Sequence, residues 1–356
     1  MFKDRFFESL KELSAIQGIP GQEQLVVKRM VELMEPLADK LEVDHMGNIY
    51  AYKKGNKPGP TIMVSAHSDE IGMIIRDIDE KGFIGVEKLG GVSDLILPAR
   101  KVNVNGHLGV IGTKAGNFQY GGDGSHKADI RELFIDVGAK SKQEVLDMGI
   151  NIGDPVTWTS EIERFTNPDL ICGKAIDNRS CCALLIELLR ALQDGEFSGT
   201  VVGVATVQEE VGLRGAKVAA YKINPDYALI IDTIPINDTP HGSGYPLEIG
   251  KGPVLAVMQG DRTRGIVMAR RMKDLILRYS KELSLPVQLS AMAGGTCEIA
   301  AVHLEREGIL AGSFSFPRRY AHTPVEMANL NDYETGLGLL EGMIRDNDNW
   351  GDMSFI

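Results

Sequence analysis

Four short runs of this chain, residues 61–66, 200–207, 227–231 and 308–316, are almost entirely apolar or small. A strand that faces water on one side alternates apolar and polar residues. A run without a polar face has to be covered on both. Around these runs lie segments with apolar residues at helical spacing. Residues 4–16 place Phe6, Phe7, Leu10, Leu13 and Ile16 on one stripe, and 22–37, 179–192, 264–283 and 332–345 read as further helices. Gly18-Ile19-Pro20-Gly21 ends the first of them. A strand over 41–52, broken by a turn at 44–48, completes this texture. The expectation is an α/β fold with a central mixed sheet flanked by helices.

Between about residues 73 and 165 the texture changes to short alternating segments separated by glycine turns, as at 82–86, 101–104, 108–111 and 133–137, with one short helix at 143–148. This reads as a small β-rich domain (73–167) inserted into an α/β domain made of 1–72 and 168–356. A glycine-rich stretch at 121–125 is expected to be a mobile loop.

Composition removes several function classes. With 38 basic and 49 acidic residues the formal charge is −11, which fits neither nucleic acid nor an anionic membrane surface. No apolar run approaches the roughly 20 residues needed to span a bilayer. Charges interrupt the first eight residues before a signal-peptide core can form. Cys172, Cys181, Cys182 and Cys297 make no C-x-x-C pair and read as reduced thiols of a cytoplasmic protein.

The chemistry gathers where the apolar runs end. Run 61–66 leads into His67-Ser68-Asp69-Glu70, run 200–207 into Gln208-Glu209-Glu210, run 227–231 into Asp232, and run 308–316 into a loop carrying Arg319-Tyr320-Ala321-His322. Asp177 stands just before the helix near Arg179. Taken singly, each has a plain reading: a helix N-cap for Asp177, a solvated loop for Glu209-Glu210, a turn residue for Asp232, a structural imidazole for His322. Ligands of open α/β sheets bind beyond the carboxyl ends of the strands, so together these residues point to a shared site. In extended backbone residues i and i+2 face the same way. Asp69 is thus placed to hold the His67 imidazole from behind. Of the adjacent pair Glu209 and Glu210, one can bind a metal while the other faces an attacking water. Two divalent ions would be balanced by Asp177, Glu210, Asp232 and one hydroxide, with His67 and His322 neutral. Imidazole and carboxylate donors suit zinc, cobalt or manganese.

The runs 64–72, 173–179, 208–216 (Gln-Glu-Glu-Val-Gly-Leu-Arg-Gly-Ala) and 319–326 stand in an order and at spacings that resemble the glutamyl, deblocking and tetrahedral aminopeptidases, over essentially the whole chain. The resemblance implies a zinc-peptidase-like domain and an enzyme that removes N-terminal residues from short peptides in the cytoplasm. It implies two divalent ions, zinc or cobalt, per subunit: His67 and Asp232 on one, Glu210 and His322 on the other, Asp177 bridging. Glu209 would be the general base and Asp69 would orient His67. The inserted domain would mediate dimers that assemble into a homo-oligomer, a tetrahedral dodecamer in the fullest form. The chain departs from the family pattern at Asp177-Asn178, where Asp-Asp is common, and at Gly295-Thr296-Cys297, where Gly-Thr-Asp is common. The second departure bears on the substrate pocket. Arg318 and Arg319 are candidates for a pocket cation; the plainer reading has Arg319 supporting the loop and Arg318 facing solvent. Free N-terminal Leu, Met or Glu is expected to be preferred over Lys. Two other classes stay open. An endoglucanase-type glycoside hydrolase would use paired carboxylates but leaves both histidines without a role. A non-catalytic oligomeric scaffold would not need metal ligands and a base together.

Overall fold

The computed structural model describes residues 2–112, 129–240, 242, 246–260 and 265–355. The four apolar runs become four adjacent parallel strands, in the order Ser198–Thr206, Lys57–His67, Tyr227–Pro235, Leu310–Arg318. Antiparallel partners extend the sheet at both sides, Ile49–Lys54 and Lys40–Val43 beyond the first strand, Val254–Gly260 and Gly265–Val267 beyond the last. Gln288–Ala291 pairs with Val254–Gly260, making nine strands and a mixed sheet.

Both faces are covered, which is why the central strands lack a polar face. On one side, Ile62, Val64 and Ala66 join a core with helices Phe2–Ala15, Ile176–Ala191, Arg270–Glu282 and Leu330–Arg345, where Phe316 stacks on Tyr333 at 4.5 Å. On the other, Met63 and Ile230 pack under helix Arg214–Ile223 and the short helix Ile299–Val302. Separately, strands Gly72–Ile78, Ile84–Leu89, Phe134–Asp136, His107–Gly112, Lys101–Val104 and Pro155–Trp158 close into a small barrel with its own apolar core. Strands Glu163–Arg164, Leu170–Gly173 and Glu326–Asn329 form a three-stranded sheet. Among the described residues no helix is long and apolar enough to cross a membrane.

Three expectations change. The strand expected over 227–231 runs on to Pro235 because its pairing with Leu310–Arg318 continues through Asp232 and Thr233, whatever their polarity. The helix expected over 264–283 is shorter: Gly265–Val267 is an edge strand and the helix is Arg270–Glu282. Strands Val254–Gly260, Gln288–Ala291 and Glu326–Asn329 were not legible as strands; the last pairs with Leu170–Gly173, remote in sequence, and the first two pair with each other about 30 residues apart. The expected mobile loop at 121–125 lies outside the described residues.

Candidate metal centre

Parallel strands end at one edge, so residues far apart in sequence meet there. His67 is the last residue of its strand. Glu209 and Glu210 follow the end of Ser198–Thr206. Asp232 lies inside its strand, opposite Ser315. His322 stands in the loop after Leu310–Arg318. Asp177 sits in the first turn of helix Ile176–Ala191 with φ −80° and ψ 107°, so its carboxylate is not on the regular helical path. The loops that carry these side chains turn sharply. Ala175, Gln208, Tyr320 and His322 all have φ between 53° and 57°, a region non-glycine residues seldom occupy and one that recurs at functional sites.

Every metal-ligand candidate from the sequence arrives in one cluster. His67 Nε2 lies 3.2 Å from Asp177 Oδ1 and 3.7 Å from Asp232 Oδ1. His322 Nε2 lies 3.2 Å from Asp177 Oδ2 and 3.6 Å from Glu210 Oε1. The two imidazoles thus approach opposite oxygens of a single carboxylate. Potential donor atoms fall into the triads His67, Asp177, Asp232 and Asp177, Glu210, His322, each within 4.8 Å, with Asp177 common to both. A third triad, His67, Glu209, Glu210, is equally compact, and Glu209 Oε2 is 3.9 Å from His67 Nε2. The donor set is imidazole nitrogen and carboxylate oxygen throughout, which fits borderline divalent ions.

Asp69 does more than the sequence suggests. Its carboxylate is 3.4 Å from His67 Nδ1, and its backbone carbonyl is nearer at 3.2 Å. The same carboxylate accepts the backbone N–H groups of Glu209 (3.0 Å) and Glu210 (3.1 Å). One buried side chain therefore fixes both His67 and the Glu-Glu turn. The buried Glu23 accepts from Gln208 N at 3.1 Å and steadies the same turn.

Crowded buried carboxylates shape the electrostatics. Burial pushes Glu210 up to about 8 and Asp232 up to about 7, and repulsion from Asp177 adds to both. Burial also holds Glu209 well above the ordinary carboxylate range. Against its own burial, Asp177 is kept well below that range, first by the Arg318 guanidinium and then by the two imidazoles. Burial works against charge on His322, yet Asp177 and Glu210 raise it to about 9. The cluster carries more negative charge than Arg318 offsets, a condition that cations relieve.

The plain reading of Arg318 as solvent-facing is wrong. It is 3% exposed and binds Asp177, Glu326 and Thr233. Its neighbour Arg319 does support the loop, in a two-point pair with Asp238 at 2.6 and 2.8 Å. Cys297 lines the site cavity of about 350 Å³ and donates its thiol to Gln259 Oε1 at 3.2 Å. The inserted barrel also touches the site: a Cβ on Gly91 would fall 2.4 Å from His322 Nδ1, so the bare glycine lets the barrel loop close over the histidine. Besides Glu23, two buried acids at the site escaped the sequence reading. Glu326 accepts backbone N–H groups from Asp177 and His322; its place four residues after His322 was the only hint. Glu298 accepts from the hydroxyls of Ser65 and Thr206 beneath the strand ends; its sequence neighbourhood offers no comparable signal.

The model of the M42 glutamyl aminopeptidase family matches residues 47–339. The chain is 31% identical to the lysyl aminopeptidase of Pyrococcus furiosus over 354 residues, covering 96% of this chain and 97% of the relative. Among solved structures it is similar to aminopeptidase APDkam598 of Desulfurococcus kamchatkensis, with a TM-score of 0.91, 35% identity and coverage of 97% and 96%. It is also similar to the Pyrococcus horikoshii TET1 peptidase, described as assembling into a tetrahedron or a large octahedral shell, with a TM-score of 0.85, 29% identity and coverage of 95% and 99%. With a matching family model over most of its length and a relative above 30% identity across nearly all of it, the chain belongs to the M42 glutamyl aminopeptidase family, a family of peptide hydrolases.

Proposed function

We propose that this chain is a cytoplasmic aminopeptidase that removes the N-terminal residue of short peptides with two divalent ions, zinc or cobalt, per subunit. The observation that carries the reading is the sharing of Asp177: one of its oxygens meets His67 and the other His322, and the residue is common to the triad with Asp232 and the triad with Glu210. His67 and Asp232 would hold one ion, Glu210 and His322 the other, and Asp177 both. Ions there would supply Lewis-acid polarisation of the scissile carbonyl and acidify the attacking water.

The protein's own groups do the rest. Glu209, next in sequence to Glu210 and fixed by Asp69 through its backbone, takes the proton of the water and returns it to the leaving amine. Asp69 keeps the His67 ring oriented with Nε2 toward Asp177. The free α-amine of the peptide is held against the acidic cluster, which limits cleavage to the first bond. The cavity lining includes Ile234, Pro235, Met292, Gln259, Cys297 and Arg318. These suit Leu or Met ends and disfavour Lys.

We assign residues 1–72 and 168–356 to the catalytic domain and 73–167 to a dimerisation domain. Exposed Leu95, Leu108 and Val110 on that domain support self-association into a homo-oligomer, and a similar structure is described as a tetrahedral or octahedral assembly. A glycosidase would leave His67 and His322 idle, and a scaffold would need neither ligands nor base.

The test is chelation followed by reconstitution. Cleavage of Leu-, Met-, Glu- and Lys-p-nitroanilides should vanish with chelator and return with zinc or cobalt, with kcat/KM lowest for Lys. N-acetylated substrates should resist. Cleavage of acetylated substrates at equal rate would remove the aminopeptidase reading, and activity indifferent to chelator would remove the metal centre.

A further inference from the structure

Glu326 opens the strand Glu326–Asn329 and pairs with Gly173, four residues before Asp177. Its side chain is 2% exposed and receives three donors. Oε2 accepts the backbone N–H of Asp177 at 3.0 Å. Oε1 accepts the backbone N–H of His322 at 2.9 Å and Nη1 of Arg318 at 2.7 Å. Arg318 in turn donates Nε to Thr233 Oγ1 at 2.7 Å and Nη2 to Asp177 Oδ2. Behind Glu326, Trp158 of the barrel, Glu70 and Thr323 enclose a gap of only about 10 Å³, at the lower limit for a single water. Little bulk water therefore reaches Glu326 from that side.

From this network we infer that Glu326, acting with Arg318, is a positioning residue of the metal centre. It ties together the backbones of two ligand residues 145 positions apart and shares the Arg318 charge, so that Asp177 stays available to an ion. This rests on the proposal that Asp177 and His322 hold metal. The physical reason lies in competition. Asp177 Oδ2 faces both Arg318 and His322. With Glu326 as a second anion, the guanidinium is divided between two carboxylates. With a neutral side chain at 326, Asp177 is its sole carboxylate partner, and the attraction strengthens in a site of low dielectric. An amide at 326 must also aim its NH₂ at a backbone N–H, because both oxygens of Glu326 accept one.

The experiment compares zinc affinity, by competition with a chromophoric chelator, and metal-free melting temperature for the wild type, Glu326→Gln and Thr233→Val. Glu326→Gln should lose about 10–100-fold in zinc affinity, the range for groups that orient metal ligands. Unchanged zinc affinity in a folded Glu326→Gln protein, even one that melts lower without metal, would overturn the inference and leave Glu326 merely structural. If Glu326→Gln does not fold, Thr233→Val decides. It leaves Glu326 in place and removes only the acceptor for Arg318 Nε; weaker zinc binding supports the inference and wild-type binding overturns it. A wild type that binds no zinc would overturn the two-ion proposal itself, a failure distinct from a variant that binds as the wild type does.

Discussion

In the proposed reaction Asp177 and Glu209 divide the work of the site, and each should leave a distinct signature when removed. Asp177 touches both imidazoles and the Arg318 guanidinium. Asp177→Ala should therefore release at least one ion per chain on dialysis, since it takes away the one group common to both ligand triads. Two ions retained would show that the bridge lies elsewhere. Glu209 is near the cluster but belongs to neither triad that shares Asp177. Glu209→Gln should keep the ions while kcat falls by roughly 10²–10⁴-fold, the range for a lost general acid–base group. Turnover close to that of the wild type would take Glu209 out of the mechanism. At this scale the sequence brought out the candidate ligands and base that the fold gathers, and was poor about the residues that support them. His67 stood out because a charged cluster directly after a buried run demands a partner, Glu210, Asp232 and His322 because their runs lead into them, and Asp177 by its place before a helix at the same expected edge. Glu326 and Glu298 did not, because a buried acid in a motif or a helix looks like any other until its donors are known.

Elements are held in place by buried carboxylates as much as by apolar packing. Glu70, just past the strand Lys57–His67, pairs with Lys174 at 2.7 Å, and both are buried; this joins the His67 strand to the turn before Asp177. Asp332, near the start of helix Leu330–Arg345, accepts the backbone N–H groups of Gly250 and Gly252, each at 2.7 Å. Burial pushes Asp332 up to about 7 despite those two donors. The folded protein then binds more protons at this site than the unfolded chain between about pH 4 and pH 7. Stability from this group is present at the acid end of that window, falls as pH rises through it, and is flat above. Asp332→Asn abolishes the titration. Urea unfolding of the metal-free protein should show the variant gaining on the wild type between pH 4.5 and pH 7.5; a difference independent of pH would refute the assignment. The edge strand Gly265–Val267 belongs to this scale too. Its residues continue a helical pattern in sequence, and pairing with Val254–Gly260 overrides it.

For the whole molecule, the decisive arrangement is a barrel seated at the carboxyl ends of the central strands of a nine-stranded sheet. The barrel exposes Leu95 and Leu108 at its surface and brings Gly91 against His322, so one element carries both the proposed dimerisation surface and a wall of the candidate site. Sedimentation at micromolar concentration should show dimers or larger species; monomer alone would refute the dimerisation proposal. The sequence by itself determined the four central strands, the flanking helices, the change to β texture after residue 72, and which candidate ligands gather at one end of the strands. Those signals are local: apolar runs without a polar face, helical periodicity, and charge abutting a buried run. Only the tertiary structure decided that Asp232 lies within its strand, that Arg318 is buried between Asp177 and Glu326, and that the barrel loop closes on His322. Each of these depends on contacts between segments distant in the chain. Whether a charged side chain meets water or a partner is fixed by what packs against it, and no local pattern carries that information.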